Sequence, residues 1–312
     1  MKKIGFVFPG QGSQKKGMLA DLASENRSVL DTFDHASEVL GEDLWRICQL
    51  DPGGLLNRTE ITQPALLAAS VAIGNLWRER GGLQPMVMAG HSLGEYSALV
   101  LAGVLSFEDA VSIVHKRGAF MQSAVEQGQG KMAAIVGLED SKLVEICARA
   151  ASIGTVSAAN FNSPGQTVIA GEAVAVDRAM KWCKEAGAKR ALPLNVSVPS
   201  HCPLMRPAAV ALEEALAGVE FKYPEIPVVQ NVSGAIQNEP KLIKENLIKQ
   251  LYNPVLWVDC VKTVRAMGVQ NLIEVGPGKV LSGLVKRIAP ELGCAGSEDP
   301  MSFESVLTET SC

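Results

Sequence analysis

The sequence has no block of like charge. Its 29 Lys and Arg residues are interspersed among 33 Asp and Glu, for a formal charge of −4. A nucleic-acid partner is not expected, because it would need a basic patch or stripe. Paired cysteines are also missing. The seven present (Cys48, Cys147, Cys183, Cys202, Cys260, Cys294 and Cys312) are odd in number and never fall in a C-x-x-C pair. That pattern argues against a disulfide framework and a zinc site, and it suits a reducing cytoplasm. No apolar run reaches the roughly 18 residues of a membrane span. The longest, near Pro64–Trp77 and Tyr96–Leu105, fall short. Lys2 and Lys3 precede an apolar Ile4–Phe8, but Pro9-Gly10 breaks that run before it reaches signal-peptide length. Repeats and low-complexity segments are absent. Histidine is scarce, with four in 312 residues, so any catalytic base of that type can be sought by elimination.

What is present is a core. The chain is 47% hydrophobic, typical of a globular protein, and its length suits one large domain or two of roughly 100–200 residues. Periodicity alternates between strands and helices, which predicts a largely parallel sheet with helices on its faces. Ile4–Phe8, Met86–Ala89 and Asn271–Val275 read as buried strands, and Phe107–Val125 as a helix. The middle of the chain differs. After the flexible junction Gly128-Gln129-Gly130, the order is strand Met132–Val136, helix Asp140–Ala150 and strand Thr155–Ala159. The turn-rich Asn160–Gly165, strand Thr167–Ala170, helix Val174–Ala186 and strand Arg190–Val196 follow. This β-α-β-β-α-β order is ferredoxin-like. The expected fold is α/β, with a hydrolase-like large subdomain (1–127 and 198–312) and an inserted small subdomain (128–197). Ligands would lie in the cleft between them. The polar stretch Pro290–Cys312 carries no motif and is expected to fray or pack loosely.

The strongest local signal is Gly90-His91-Ser92-Leu93-Gly94. It follows an apolar run and precedes a helical stretch, the strand, sharp turn and helix of a nucleophile elbow. Glycines let the backbone turn tightly, and the helix N-terminus brings N–H groups and positive dipole near the serine oxygen. A serine hydroxyl needs a base. Among the histidines, His91 adjoins the serine in the turn and should leave it in another direction. His35 lies in a polar-rich helical stretch, and His115 sits beside Lys116 on the polar side of its helix. His201, in the irregular Val198–Pro203 where the chain returns from the small subdomain, is the best choice. Cys202 beside it lacks an elbow and reads as a buried structural thiol.

Gly10-Gln11-Gly12 fits neither the G-x-G-x-x-G nor the Gly-Lys-Ser/Thr spacing of nucleotide loops, and Gly276-Pro277-Gly278-Lys279 fails likewise. A glycine loop at a strand top can instead supply an oxyanion-hole N–H, alongside the residue after the nucleophile. That nominates the amides of Gln11 and Leu93, with a simple turn equally open for Gln11. Arg117 shares a helical face with Ala110, Val114 and Met121, so its guanidinium points inward. A buried charge needs an anion or acceptors. Helix geometry alone leaves two partners open, a ligand carboxylate or one of the protein's own acids, and favours the second.

Six ordered elements now stand together: Phe8–Gln14, Gly90–Tyr96, Arg117-Gly118, Asn160–Gln166, Val198–His201 and Glu274–Gly278. Together they resemble the malonyl-CoA:acyl-carrier-protein transacylases of bacterial fatty-acid synthesis, from about Lys3 to Arg287. The resemblance implies Ser92 as nucleophile and His201 as base. It further implies that Arg117 binds the malonyl carboxylate, and that the backbone carbonyl at Gln250 orients the histidine in place of a third acidic residue. It places Asn160 and Asn162 in a loop near the cleft. The implied partners are malonyl-CoA and acyl carrier protein, with a monomer expected, no metal or redox cofactor, and coenzyme A as the acyl carrier. Two rivals remain. A serine hydrolase would pass the same acyl group to water, and a carrier-docking module would not react at all.

Overall fold

The computed structural model describes residues 2–196 and 198–311. Ser197, at the expected subdomain boundary, and Cys312 lie outside the described residues, as does Met1. The strands in chain order are β1 (Ile4–Phe8), β2 (Met88–Gly90), β3 (Gly130–Val136), β4 (Val156–Ser163), β5 (Gln166–Glu172), β6 (Arg190–Pro193), β7 (Val228–Val229), β8 (Asn271–Glu274) and β9 (Gly293–Gly296).

Five of these form a parallel sheet in the order β7-β2-β1-β8-β9. All five residues of β1 are buried, as expected where helices cover both faces of a parallel sheet. The Thr59–Glu79 helix holds the apolar run Pro64–Trp77 and is buried along most of its length. It packs on the Phe107–Ser123 helix, whose buried face carries Ala110, Val114, Arg117 and Met121 as the helical spacing predicted. Pro64, inside the first helix, has no N–H to give the Glu60 carbonyl four residues back. The His115 ring meets that carbonyl through Nδ1 at 2.9 Å. His115 is therefore not on a solvated face. It is half-buried and satisfies the acceptor that the proline leaves open.

The remaining four strands form an antiparallel sheet, β4-β5-β3-β6, backed by the helices Asp140–Ala150 and Ala173–Glu185. The ferredoxin-like order holds. Two details differ from the sequence reading. The turn-rich Asn160–Gly165 is mostly strand: β4 runs through Ser163, and the reversal takes only Pro164 and Gly165, the latter at φ 70°. Pairing with β5 and with Val255 overrides local turn preference here. The chain after Pro290 does not fray either. It adds β9 to the edge of the parallel sheet and then the Pro300–Ser311 helix.

That helix inserts Phe303, 1% exposed, edge-on to Trp77 with ring centroids 6.1 Å apart. Truncating a packed core aromatic typically costs about 3–5 kcal/mol. Phe303→Ala should therefore move the urea unfolding midpoint clearly downward, whereas a loosely packed tail would leave it unchanged.

Candidate active site

Ser92 sits at the turn between β2 and the Gly94–Leu101 helix with φ 52°, a left-handed backbone conformation unusual for a non-glycine residue. The flanking glycines make this possible. A Cβ on Gly90 would lie 1.9 Å from the Gly94 carbonyl carbon, and one on Gly94 would lie 2.1 Å from the Phe8 carbonyl oxygen. The turn also has a brace from far along the chain. Asn231 Oδ1 accepts from the Ser92 N–H at 2.7 Å, and its Nδ2 donates to the Gly90 carbonyl at 2.7 Å. Gln250 Nε2 donates to the Ser92 carbonyl at 3.0 Å.

The Ser92 hydroxyl lies 2.7 Å from His201 Nε2. His201 Nδ1 lies 2.7 Å from the Gln250 carbonyl, which can only accept. The proton is therefore on Nδ1, and the Nε2 lone pair faces the serine. His201 is 3% exposed. Burial, and then the nearby Arg117 cation, pushes its pKa down to about 3. The ring is thus neutral at physiological pH and free to take a proton. No carboxylate touches it among the described residues, in keeping with the orienting role expected of the Gln250 backbone.

Arg117 is 1% exposed. Its Nη1 donates to Gln63 Oε1 at 2.7 Å, and its Nη2 donates to Gln250 Oε1 at 2.9 Å and to Ser92 Oγ at 3.3 Å. Its guanidinium carbon lies 5.5 Å from the Tyr96 ring centre. No acidic side chain forms an ion pair with it among the described residues, so the structural pairing that helix geometry favoured is absent. The partners are neutral amides and the Ser92 hydroxyl.

A cavity of about 230 Å³ opens over these groups, between the two sheets. Gln11 and Leu93 line it near Ser92, and neither backbone N–H is engaged by another described residue. Its apolar walls include Met121, Met132, Val168, Leu194, Leu281 and Leu284. Asn160 and Asn162 line it too, but from β4 and not from a loop. Asn162 Oδ1 meets His91 Nε2 at 2.8 Å, while Phe161 N–H and the Ala159 carbonyl bond Val255, both at 2.9 Å. His91 thus leaves the turn away from Ser92, as expected, and tethers the small sheet to the elbow.

The other sequence candidates stay outside. His35 pairs with Glu108 at the surface, and Cys202 is fully buried with its thiol pushed up to about 12 by burial. Sequence reasoning missed Gln63, Glu95 and Asn231. Two of these carried a signal. Gln63 abuts the long apolar run, and Glu95 opens a helix that is otherwise almost wholly apolar. Asn231, 139 residues from Ser92, carried none. Among the described residues, no group of three metal-ligating side chains comes together, and no helix is long and apolar enough to cross a membrane.

A family model described as an acyl transferase domain matches residues 5–297. The malonyl CoA-acyl carrier protein transacylase of Salmonella typhimurium is 53% identical over 309 residues, covering 99% of this chain and 100% of that protein. This chain belongs to the malonyl CoA-acyl carrier protein transacylase family. An acyl carrier protein S-malonyltransferase from Vibrio cholerae, solved as a crystal structure, superposes with a TM-score of 0.96 at 57% identity, covering 98% of this chain and all of that one. A malonyl-transacylase solved in complex with a type II PKS acyl-carrier protein matches at a TM-score of 0.97 and 53% identity, covering 99% and 100%.

The geometry separates the histidines experimentally. His201→Ala should slow acylation of Ser92 by a sulfonyl fluoride about 10²–10⁴-fold, the usual effect of losing a general base. His115→Ala removes the partner of a part-buried carbonyl, worth up to about 1–3 kcal/mol of stability, and should leave that rate within a few-fold. A larger rate effect at His115 than at His201 would reverse the assignment.

Proposed function

We propose that the chain moves a malonyl group from coenzyme A to the pantetheine thiol of acyl carrier protein, through an ester on Ser92. The observation that carries this reading is Arg117 Nη2 lying 3.3 Å from the Ser92 hydroxyl. A buried cation with no acidic side chain in direct contact among the described residues, beside a nucleophile, suits an acyl group that ends in its own carboxylate.

The steps follow from the geometry. Ser92 Oγ attacks the thioester carbon as His201 Nε2 takes its proton. The N–H groups of Gln11 and Leu93 receive the developing oxyanion. When the tetrahedral adduct collapses, the C–S bond breaks and coenzyme A leaves with the proton from His201. The carrier thiol then enters, gives its proton to His201 and attacks the ester; Ser92 leaves and recovers that proton. The malonyl carboxylate assists. By neutralising Arg117 it removes one of the causes that depress His201, so the base strengthens once the correct acyl group is seated.

The cavity lies where we divide the chain into a large subdomain (1–127 and 198–312) and a small one (128–197). Its narrow apolar walls suit the pantetheine arm shared by both acyl carriers. Asn160 and Asn162 would contact that arm or the acyl group from the small-sheet side. Unpaired cysteines and a coenzyme A substrate suit the cytoplasm, and the steps above use the protein's own side chains and backbone N–H groups, with coenzyme A as the acyl carrier.

Two mutations test the reading. Ser92→Ala should fold and yield no malonyl adduct by intact mass after exposure to malonyl-CoA; an adduct persisting on the mutant would move the chemistry elsewhere. The second is Arg117→Ala. A charge-assisted hydrogen bond contributes about 1.5–3 kcal/mol, so losing two should lower kcat/KM for malonyl-CoA roughly 10²–10⁴-fold. Acetyl-CoA, which has no carboxylate, should react as well as before or better. Equal losses on both substrates would make Arg117 structural. Release of free malonate without acylation of a thiol acceptor would mean a hydrolase.

A further inference from the structure

Glu95 follows the elbow directly, is 1% exposed, and takes no part in the steps above. Its Oε2 accepts from the Asn231 N–H and from Gln250 Nε2, both at 2.9 Å. Its Oε1 has no hydrogen-bond partner in the described structure. These two donors belong to the residues that brace Ser92. Gln250 is the more telling of them. Its amide oxygen accepts from Arg117 Nη2 while its amide nitrogen donates to Glu95. A buried cation and a buried carboxylate thus face each other across one amide, with no direct ion pair.

The other ionisable groups around Glu95 do not compensate it. Tyr96 on the same helix is neutral, with its hydroxyl pushed up to about 12 by burial. The Cys260 thiol, from the Trp257–Ala266 helix, is held well above its ordinary range by burial and by Glu95 itself. Asp259 beside it is half-exposed and pairs with Lys262. Arg78 reaches only the far end of the Gly94–Leu101 helix, at the Leu101 carbonyl. His201 is neutral. Arg117 is therefore the cation that Glu95 answers.

We propose that Glu95 is a positioning residue and the counter-charge of Arg117 in the free enzyme, and that its carboxylate competes with the acyl carboxylate for that one guanidinium, so that malonyl binding is accompanied by proton uptake at Glu95. The inference rests on the malonyl reading above. Two anions sharing one buried cation disfavour each other, and the one open to proton exchange gives way. Glu95 is prepared to do so. Only one of its oxygens is hydrogen-bonded, and burial raises its pKa to about 7 despite the Asn231, Gln250 and Arg117 contacts that lower it.

The sign follows from linkage. Binding a second anion raises the pKa of Glu95, so malonyl groups bind best where Glu95 is already protonated. Their advantage declines as pH rises through about 7. Acetyl groups carry no charge and do not feel this change.

The experiment is the ratio of kcat/KM for malonyl-CoA to that for acetyl-CoA, measured from pH 6 to 9. Taking the ratio cancels the titration of the coenzyme A moiety, which both substrates share, and His201 stays neutral throughout this range. In the wild type the ratio should fall by at least about fivefold over this range, the lower end of typical site-to-site coupling. Glu95→Gln keeps an acceptor for Asn231 and Gln250 and removes the charge. In that variant the ratio should be flat and lie at or above the wild-type value at pH 6. A flat ratio in the wild type overturns the proposal whether or not the variant folds. So does a slope that survives in Glu95→Gln, and so does an equal loss on both substrates with the wild-type slope retained. Failure of malonyl-CoA to acylate Ser92 at all would instead overturn the malonyl reading.

Discussion

A guanidinium withdrawn from water next to the Ser92 hydroxyl is the constraint on which the site depends. Arg117 could not be buried without acceptors, because an unpaired buried charge is severely destabilising. The protein supplies neutral ones, the side-chain oxygens of Gln63 and Gln250, and withholds a direct carboxylate. This leaves the cation solvated by amides, with the nearest carboxylate, Glu95, one amide away. Its field then acts on everything near it, lowering the basicity of His201 and favouring ionisation of Glu95. A direct internal ion pair would have occupied the guanidinium, and no acceptors at all would have destabilised the fold.

Gln250 shows how few atoms link these parts. Its backbone carbonyl sets the tautomer of His201, its side-chain oxygen holds Arg117, and its side-chain nitrogen reaches Ser92 and Glu95. Ser92, His201 and Arg117 are thus referenced to one residue at the end of the Pro240–Gln250 helix. Such an arrangement is stiff, and catalysis by preorganised hydrogen bonds requires stiffness. Asn231 performs the matching service for the strained backbone at Ser92, accepting its N–H and tying the elbow back to Gly90.

The small sheet completes the cavity, while Ser92, His201 and Arg117 lie outside it. Its attachment is specific all the same. Asn162 bonds His91 in the elbow, and the irregular stretch of β4 pairs with Val255. The bulges in β4 fall among these residues, where a strand must bend to serve two neighbours at once.

The sequence by itself determined the elements whose signals are local. The glycines around Ser92 announced a turn that only small residues permit, and the helical spacing of Arg117 with Val114 and Met121 announced an inward cation. The β-α-β-β-α-β order announced the small sheet, and elimination among four histidines led to His201. Local preference misled where distant contacts override it. Asn160–Ser163 read as turn until pairing with β5 and Val255 made it strand. The final residues read as a loose tail until the edge of the parallel sheet and the Trp77 pocket gave them partners. His115 read as solvated until Pro64 opened a carbonyl 55 positions away in sequence. Tertiary structure alone decided that Asn231 braces the serine, that Gln250 joins Arg117 to Glu95, and that no acidic side chain pairs directly with the buried guanidinium. A hydrogen bond is a relation between two positions, and no periodicity in a chain records a partner more than a hundred residues away.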